Sequence, residues 1–335
     1  MRFDPVRKRW IVFASERSNR TDYFMINKEQ HDDPKDCPFC PGNEIYTGGS
    51  LYEDVSIIDG KKGWNLRVIP NKYPILRVEE KGILRQYGPY AYMDRLGAHE
   101  VIIETREHIL RMSDYDNDKF NRLINAITHR IDDLSKDTRL KYITYIKNSS
   151  KLAGATMTHP HSQIVAFPFL PNDERHIFNN MFEHYKNNNR CLLCDIIDFE
   201  IREGKRIIFK NDAFVAFSPY ASKHSFEITV SPINHRSEFN KMTNYEKNSL
   251  IEVLKNIFFK LDFALDKPAF NINLVTSPYN LNHPDTDHFR FKDSFIHWYV
   301  EILPRVNRIG GIEKGTGVYV NPFLPEKCTE IFNNV

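Results

Sequence analysis

A chain of 335 residues holds about two domain-sized units at roughly 150 residues each, enough to bury a core without disulfide staples. Its 46 basic and 44 acidic side chains leave a formal charge of +2, which argues against both a uniformly basic nucleic-acid binder and an acidic solvating tail. The longest apolar run, Ile164 to Leu170 with Pro168 inside it, is far short of the roughly 20 residues that cross a bilayer.

Taken in chain order, Met1 to Trp10 lacks the apolar stretch of a secretory signal, so the expected address is cytoplasmic. In a reducing compartment the pairs Cys37/Cys40 and Cys191/Cys194 read as metal or redox sites before structural disulfides, while Cys328 stands alone. Period-two alternation predicts strands at 10–13, 66–69, 100–104, 142–146 and 163–167. Between the third and fourth, Phe120, Leu123, Ile124, Ile127, Ile131 and Leu134 share one face of a long helix that starts near Ser113. Pro171-Asn172-Asp173 and Asn187-Asn188-Asn189 punctuate a join at 171–190. Thr243-Asn244-Tyr245-Glu246 forms a capping box, opening a second amphipathic helix that runs to about Leu265. Strands at 270–275 and 299–303 complete the pattern.

Ordered features recur across the two halves. Cys37 and Cys40, His108, a helix, a strand and His159 in the first are answered by Cys191 and Cys194, His235, a helix, a strand and His297 in the second. The expected fold class is α+β: two related halves, 1–171 and 172–335, each a mainly antiparallel sheet with one long amphipathic helix.

Two thiolates and two imidazoles per half suit tetrahedral zinc, with ligands gathered by a folded sheet, since the histidines stand too far from the cysteines for a zinc finger. Free buried cysteines with surface histidines is the plainer alternative. A thioredoxin-like redox role fits less well, because neither pair is read as opening a helix after a strand. In Gly154-Ala155-Thr156-Met157-Thr158-His159-Pro160-His161-Ser162-Gln163, alternate residues of an extended segment face one way. His159 can then coordinate a metal, His161 is left as a nucleophile, and Gln163 is a neutral amide donor beside it. An imidazole attacking a phosphoryl group gives a phosphoramidate and divides one transfer into two steps, with the Gln163 amide meeting charge on a non-bridging oxygen.

The chain resembles the galactose-1-phosphate uridylyltransferases and their nucleotidyltransferase relatives in the histidine-triad superfamily. The likeness runs through Asp4-Pro5-Val6, Cys37-Pro38-Phe39-Cys40-Pro41-Gly42-Asn43-Glu44, Val68-Ile69-Pro70-Asn71-Lys72-Tyr73-Pro74, His99-Glu100-Val101-Ile102, His159-Pro160-His161-Ser162-Gln163 and Gly315-Thr316-Gly317-Val318-Tyr319. It implies histidine-triad-like halves, a nucleotidylated His161, Gln163 as the phosphate-orienting amide, and zinc on Cys37, Cys40, His108 and His159. It further implies Asn71 and Asn148 in the nucleotide pocket and Arg17 and Arg20 near phosphates. Gly315 and Thr316 belong to a glycine-rich segment that allows close backbone approach to phosphate. The best-known uridylyltransferases carry a carboxylate at the second metal site, where this chain has Cys191 and Cys194. Their acidic, Gln-bearing motif is replaced here by the Gly-Thr-Gly type found in members acting on ADP-glucose or other nucleotides.

Two residues past His297 stands Tyr299, which cannot form the covalent adduct, so one active site per chain and a structural second metal are expected. The expected activity moves a nucleoside monophosphate from an NDP-hexose to a hexose-1-phosphate, as a galactose-1-phosphate uridylyltransferase does. It requires two zinc ions per chain and no nucleic-acid or membrane partner, and the expected assembly is a homodimer. The alternatives are an ADP-glucose or dinucleoside polyphosphate phosphorylase with phosphate as acceptor and, in another class, a non-enzymatic zinc-dependent nucleic-acid-binding module.

Overall fold

The computed structural model describes residues 1–19, 33–281 and 284–335. The chain opens with β1 (Arg2–Asp4) and β2 (Arg9–Phe13), continues with β3 (Tyr52–Ile58) and β4 (Lys61–Pro70), and then forms a hairpin of β5 (Leu84–Tyr87) and β6 (Tyr90–Met93). After β7 (Ala98–Ile103) come α1 (Asn117–Leu134), β8 (Tyr142–Ser149) and β9 (His161–Phe167). Two helices, α2 (Asn172–Asn188) and α3 (Leu192–Glu203), lead to β10 (Ile207–Lys210), β11 (Phe214–Phe217) and β12 (Ile228–Pro232). The remainder is α4 (Asn244–Ala264), β13 (Phe270–Val275), α5 (Lys292–Phe295), β14 (Tyr299–Pro304), α6 (Gly311–Thr316), β15 (Tyr319–Asn321) and α7 (Pro325–Asn333). Among these, no helix is long and apolar enough to cross a membrane.

Ten strands join in one sheet of order β10-β11-β12-β14-β13-β8-β9-β7-β4-β3, antiparallel throughout. The expected two sheets therefore merge into one, through a seam where β8 meets β13 with Asn148 opposite Asn271 and Ile146 opposite Asn273. Period-two alternation decides which face is buried against the helices. Ile143, Tyr145, Ile164, Ala166, Ile272, Leu274, Val300 and Ile302 turn to one side and form a shared core with Phe120, Ile124 and Ile131 of α1 and with Ile257, Phe258 and Leu261 of α4. On the other face, α2, α3 and α5 cover the second half through Phe178, Met181, Ile197 and Phe295, packed with Tyr142, Val215, Val275 and Tyr299. Over the outer strands of the first half, among the described residues, that face carries a smaller cluster of Trp64, Ile69, Val101 and Ile103, with Phe39 against it.

The register makes the halves correspond. On β9, Gln163 stands between Val101 of β7 and Ile146 of β8, and on β14 Glu301 stands between Thr229 of β12 and Asn273 of β13. Tyr299 thus takes the place of His161, and Glu227 that of His99.

Several boundaries differ from the sequence expectation for local reasons. The second helix starts at Thr243 as read, its hydroxyl accepting from Glu246 N and the Glu246 carboxylate accepting from Thr243 N at 2.7 Å. The first starts three residues after Ser113, because 112–114 form a 3-10 turn and Asp116 supplies the cap, accepting from Lys119 N at 2.7 Å. The 171–190 join is a helix: Pro171 precedes its first turn, and Asn189, with φ 52°, closes it in the left-handed conformation. Cys191 caps α3, so the second C-x-x-C does open a helix, although α2 and not a strand precedes it.

Candidate active site

His161 is the first residue of β9, two positions earlier than the strand expected from alternation, and His159 lies before it. The two rings consequently have different surroundings. His159 is fully buried among the cysteines, and the His161 ring packs against Phe39 with centroids 5.5 Å apart. His161 Nδ1 donates to the His159 carbonyl at 2.8 Å, which puts the proton on Nδ1 and the lone pair on Nε2. Burial, joined by the nearby Lys147 charge and opposed by that hydrogen bond, holds the imidazole below its ordinary pKa. At neutral pH the ring is an uncharged base with Nε2 available.

Gln163 follows on the same face, anchored by a residue to which the sequence reading gave no role. His99 Nε2 lies 2.6 Å from Gln163 Oε1, and the Ile75 backbone N–H donates to His99 Nδ1 at 3.2 Å. Since Nδ1 accepts, Nε2 carries the proton and donates to Gln163 Oε1, leaving the Gln163 amide N–H groups turned outward. Asn71 joins the group through its backbone N–H, which donates to the His99 carbonyl at 2.9 Å; its Nδ2 lies 3.1 Å from His99 Nε2, but with the proton on Nε2 both are donors and no hydrogen bond links them. Asn148, on β8, accepts at Oδ1 from Asn271 Nδ2 at 2.7 Å.

Beneath the nucleophile, on the helix-facing side of the sheet, Lys147 Nζ donates to Glu104 Oε2 at 2.7 Å and to the His161 carbonyl at 3.2 Å. Tyr115 OH donates to the same carboxylate oxygen at 2.7 Å. Burial pushes the Glu104 carboxyl up, but Lys147 and the Ser162 and Tyr115 hydroxyls outweigh it and hold the group below the usual carboxylate range.

Both expected sets of metal ligands come together. In each set, Cys37, Cys40, His108, His159 and Cys191, Cys194, His235, His297, the ligand atoms lie within 4.8 Å of one another. Cys40 Sγ is 3.2 Å from His108 Nδ1 and 3.5 Å from His159 Nδ1, and Cys194 Sγ is 3.3 Å from His235 Nδ1 and 3.4 Å from His297 Nδ1. Tetrahedral bonds of about 2.3 Å to sulfur and 2.0 Å to nitrogen put such atoms about 3.5 Å apart. The outer nitrogens fit as well: His159, His235 and His297 Nε2 meet the carbonyls of Thr105, Asp293 and Pro232 at 2.8, 3.0 and 3.0 Å, which leaves each Nδ1 lone pair facing the cluster. Burial pushes His159 down to about 4, so its ring is neutral, the form that binds metal. Either group could hold a metal ion.

The counterpart position in the second half is chemically different. Burial takes the Tyr299 hydroxyl above the ordinary phenol range, and Arg7, from the turn between β1 and β2, reaches both Tyr299 OH and Glu301. A cavity of about 570 Å³ opens beside them, walled by Val6, Leu193, Phe199, Tyr220 and Glu227.

The softer sequence expectations divide. Arg17 lies in the 3-10 turn after β2, with no hydrogen bond to His161, Gln163, Asn71 or Asn148 among the described residues, and Arg20 falls outside those residues. Gly315 and Thr316 end α6, where the Thr316 hydroxyl donates to the Ile312 carbonyl at 2.7 Å. A Cβ on Gly315 would meet nothing within 4 Å, so the chain itself does not require glycine there, whereas Gly317, with φ 71°, closes the helix. Neither Gly315 nor Thr316 contacts the His161 group through a hydrogen bond among the described residues.

Residues 174–320 match the galactose-1-phosphate uridyl transferase C-terminal domain family, and residues 90–170 match the N-terminal domain of a family of unknown function, DUF4931. An ADP-glucose phosphorylase from Arabidopsis thaliana is 30% identical over 100% of this chain and 92% of its own length. The galactose-1-phosphate uridylyltransferase of Thermotoga maritima is 25% identical over 98% of this chain and 96% of its own. A crystal structure of an Arabidopsis thaliana ADP-glucose phosphorylase with bound ADP-glucose superposes with a TM-score of 0.82 at 28% identity, covering 100% of this chain and 98% of that one. The chain belongs to the galactose-1-phosphate uridylyltransferase family, with ADP-glucose phosphorylase among its relatives, and is an enzyme of the nucleotidyltransferase type.

Proposed function

We propose that this enzyme carries a nucleoside monophosphate from an NDP-hexose to a phosphate-bearing acceptor by way of His161. The observation that carries the reading is the hydrogen bond from His161 Nδ1 to the His159 carbonyl, which leaves Nε2 as a neutral lone-pair donor. In the first half-reaction an Nε2–P bond forms as the P–O bond to hexose-1-phosphate breaks. The departing phosphate monoester needs no proton. In the second, an acceptor oxygen attacks the same phosphorus and restores the imidazole. The Gln163 amide, its oxygen held by His99, meets the charge on a non-bridging oxygen in both directions.

Asn71 and Asn148 line the nucleotide side, and Arg17, Arg20, Gly315 and Thr316 are assigned to phosphate and sugar contacts. Zinc suits both Cys2His2 groups, two ions per chain, and its contribution is to tie distant segments together. The first group ties Cys37, Cys40 and His108 to the strand of His161; the second, beside Tyr299, is structural. We assign the first active-site half to 1–171 and its non-catalytic counterpart to 172–335, in a cytoplasmic homodimer.

For the acceptor, hexose-1-phosphate with a uridylyl donor is the main reading, as in the Thermotoga relative's name. A phosphorylase using ADP-glucose and inorganic phosphate is favoured by the greater identity, 30% against 25%, to the Arabidopsis relative. The test incubates the protein with UDP-glucose, UDP-galactose, ADP-glucose and GDP-mannose, and reads intact mass and released hexose-1-phosphate. Acid-labile gain of one nucleotide supports the mechanism and names the base. Phosphate and galactose-1-phosphate are then compared as acceptors on the isolated adduct. Turnover without any adduct, or unchanged turnover in His161→Gly, overturns the reading.

A further inference from the structure

The strands beside His161 part. Pairing of β8 with β9 ends at Ile146 opposite Gln163, and the next two residues of β8, Lys147 and Asn148, keep only the pairing on the opposite edge of the strand, with Ile272 and Asn271 of β13. His161 keeps Ile103 of β7 as its neighbour on one side but loses the β8 ladder on the other. The opening lies next to the nucleophile, where a substrate has to enter, and it removes the backbone hydrogen bonding that would normally hold a strand end.

A side chain fills that gap. Lys147, only 4% exposed, places Nζ 3.2 Å from the His161 carbonyl oxygen and 2.7 Å from Glu104 Oε2. Glu104, 2% exposed, also donates its backbone N–H to the Pro160 carbonyl at 3.1 Å. The Lys147 ammonium and the Glu104 backbone N–H therefore hold two consecutive carbonyls of the His-Pro-His segment, those of His161 and Pro160, and Tyr115 OH fixes the Glu104 carboxylate from behind at 2.7 Å. Buried ion pairs are poor sources of net stability compared with apolar residues of the same size, so one maintained here calls for another explanation.

We infer that Lys147 is a positioning residue for nucleotidyl transfer: its ammonium, oriented by Glu104, stands in for the missing strand neighbour of His161 and keeps the nucleophile in line while the strands part to admit substrate. This rests on His161 being the nucleophile. A shift of about 1 Å in a reacting group can cost on the order of 100-fold, so losing the grip should register in the chemical step and not in binding.

Because Lys147→Met alone leaves a buried carboxylate without its cation, the decisive variant is the double Lys147→Met/Glu104→Gln, which removes both charges. We expect it to fold with wild-type metal content, to form the nucleotidyl adduct in single turnover about 10- to 100-fold more slowly, and to change the donor KM by less than about 2-fold. An adduct formed at the wild-type rate in the folded double variant overturns the proposal and leaves the pair structural. A second readout needs no turnover: the His161 Nδ1–H resonance, assigned with His161→Gly, should broaden or exchange faster in the double variant. An unchanged resonance overturns the positioning role. Absence of adduct in the wild type with every donor overturns the nucleophile assignment instead, and the resonance still decides whether Lys147 holds the ring.

Discussion

The arrangement of His99 makes a quantitative demand on catalysis. His99→Phe keeps a ring in place but deletes the donor that holds Gln163 Oε1 at 2.6 Å. One such hydrogen bond is worth about 1 kcal/mol net, which biases the Gln163 amide about 5-fold toward presenting its N–H groups to a phosphoryl oxygen. Deleting the amide altogether, as in Gln163→Ala, removes an oxyanion donor and should cost about 100- to 1000-fold. His99→Phe should therefore lower kcat/KM about 5- to 10-fold by releasing an amide that can still act part of the time. The effects must also be non-additive: once the amide is gone His99 has nothing to orient, so the double variant should be no slower than Gln163→Ala alone. Steady-state kinetics on wild type, both single variants and the double variant complete the cycle. Multiplying losses, with the double variant another 5- to 10-fold below Gln163→Ala, would show that His99 acts through something other than Gln163, and the tautomer argument would be wrong.

Three further outcomes are expected. His161→Gly should keep its metal and melting temperature, form no adduct by intact mass, and regain partial transfer with added imidazole, because the nucleophile is not a metal ligand. Cys40→Ser and Cys191→Ser should each lose one equivalent of bound metal by elemental analysis and several kcal/mol of stability in denaturant titration, since ligands from distant segments contribute the metal's binding energy to folding. Burial would raise Glu326, but Arg2 and Arg206, at 2.9 and 2.7 Å, take it down to about 2. Its folded pKa lies below its unfolded one, so its contribution is complete above about pH 4.5 and is lost as pH falls through about 2; with the side chain a third exposed, about 1–2 kcal/mol is expected. Glu326→Gln should flatten that part of the stability–pH curve measured by denaturant titration.

What could be read from the residues alone follows a physical division. The Thr243 capping box and the alternation at 270–275 are local signals, and the elements formed where those signals lay. Both metal sets were legible because a C-x-x-C bite restricts the chemistry, although their histidines arrive from far along the chain. His99 was visible within a motif but had no role there, since its task depends on Ile75 N–H and on a strand pairing that places it beside Gln163. Lys147 gave no signal at all: in sequence it is one polar residue in an apolar alternation, and only the divergence of β8 from β9 gives its charge a purpose. The helix at 172–188 reads as a join in the sequence because Pro171 and Asn189, which bound it, are also the residues of turns.

The seam between β8 and β13 bears on how such a chain can be divided. Severed between α2 and β9, the first half would leave β8 as a bare margin, with the backbone donors and acceptors of 146–149 turned to water and ready to receive another strand. Its natural acceptor would be a second copy of itself, since β8 and β13 meet antiparallel, as two identical strands would across a twofold axis. The antiparallel pairing of β8 with β13 gives this one polypeptide the kind of seam that joins two protomers in a symmetric dimer. Because the strands on either side of that seam are not bound to be identical, one side can carry the His161 imidazole while the other carries Tyr299, Glu301 and the guanidinium of Arg7.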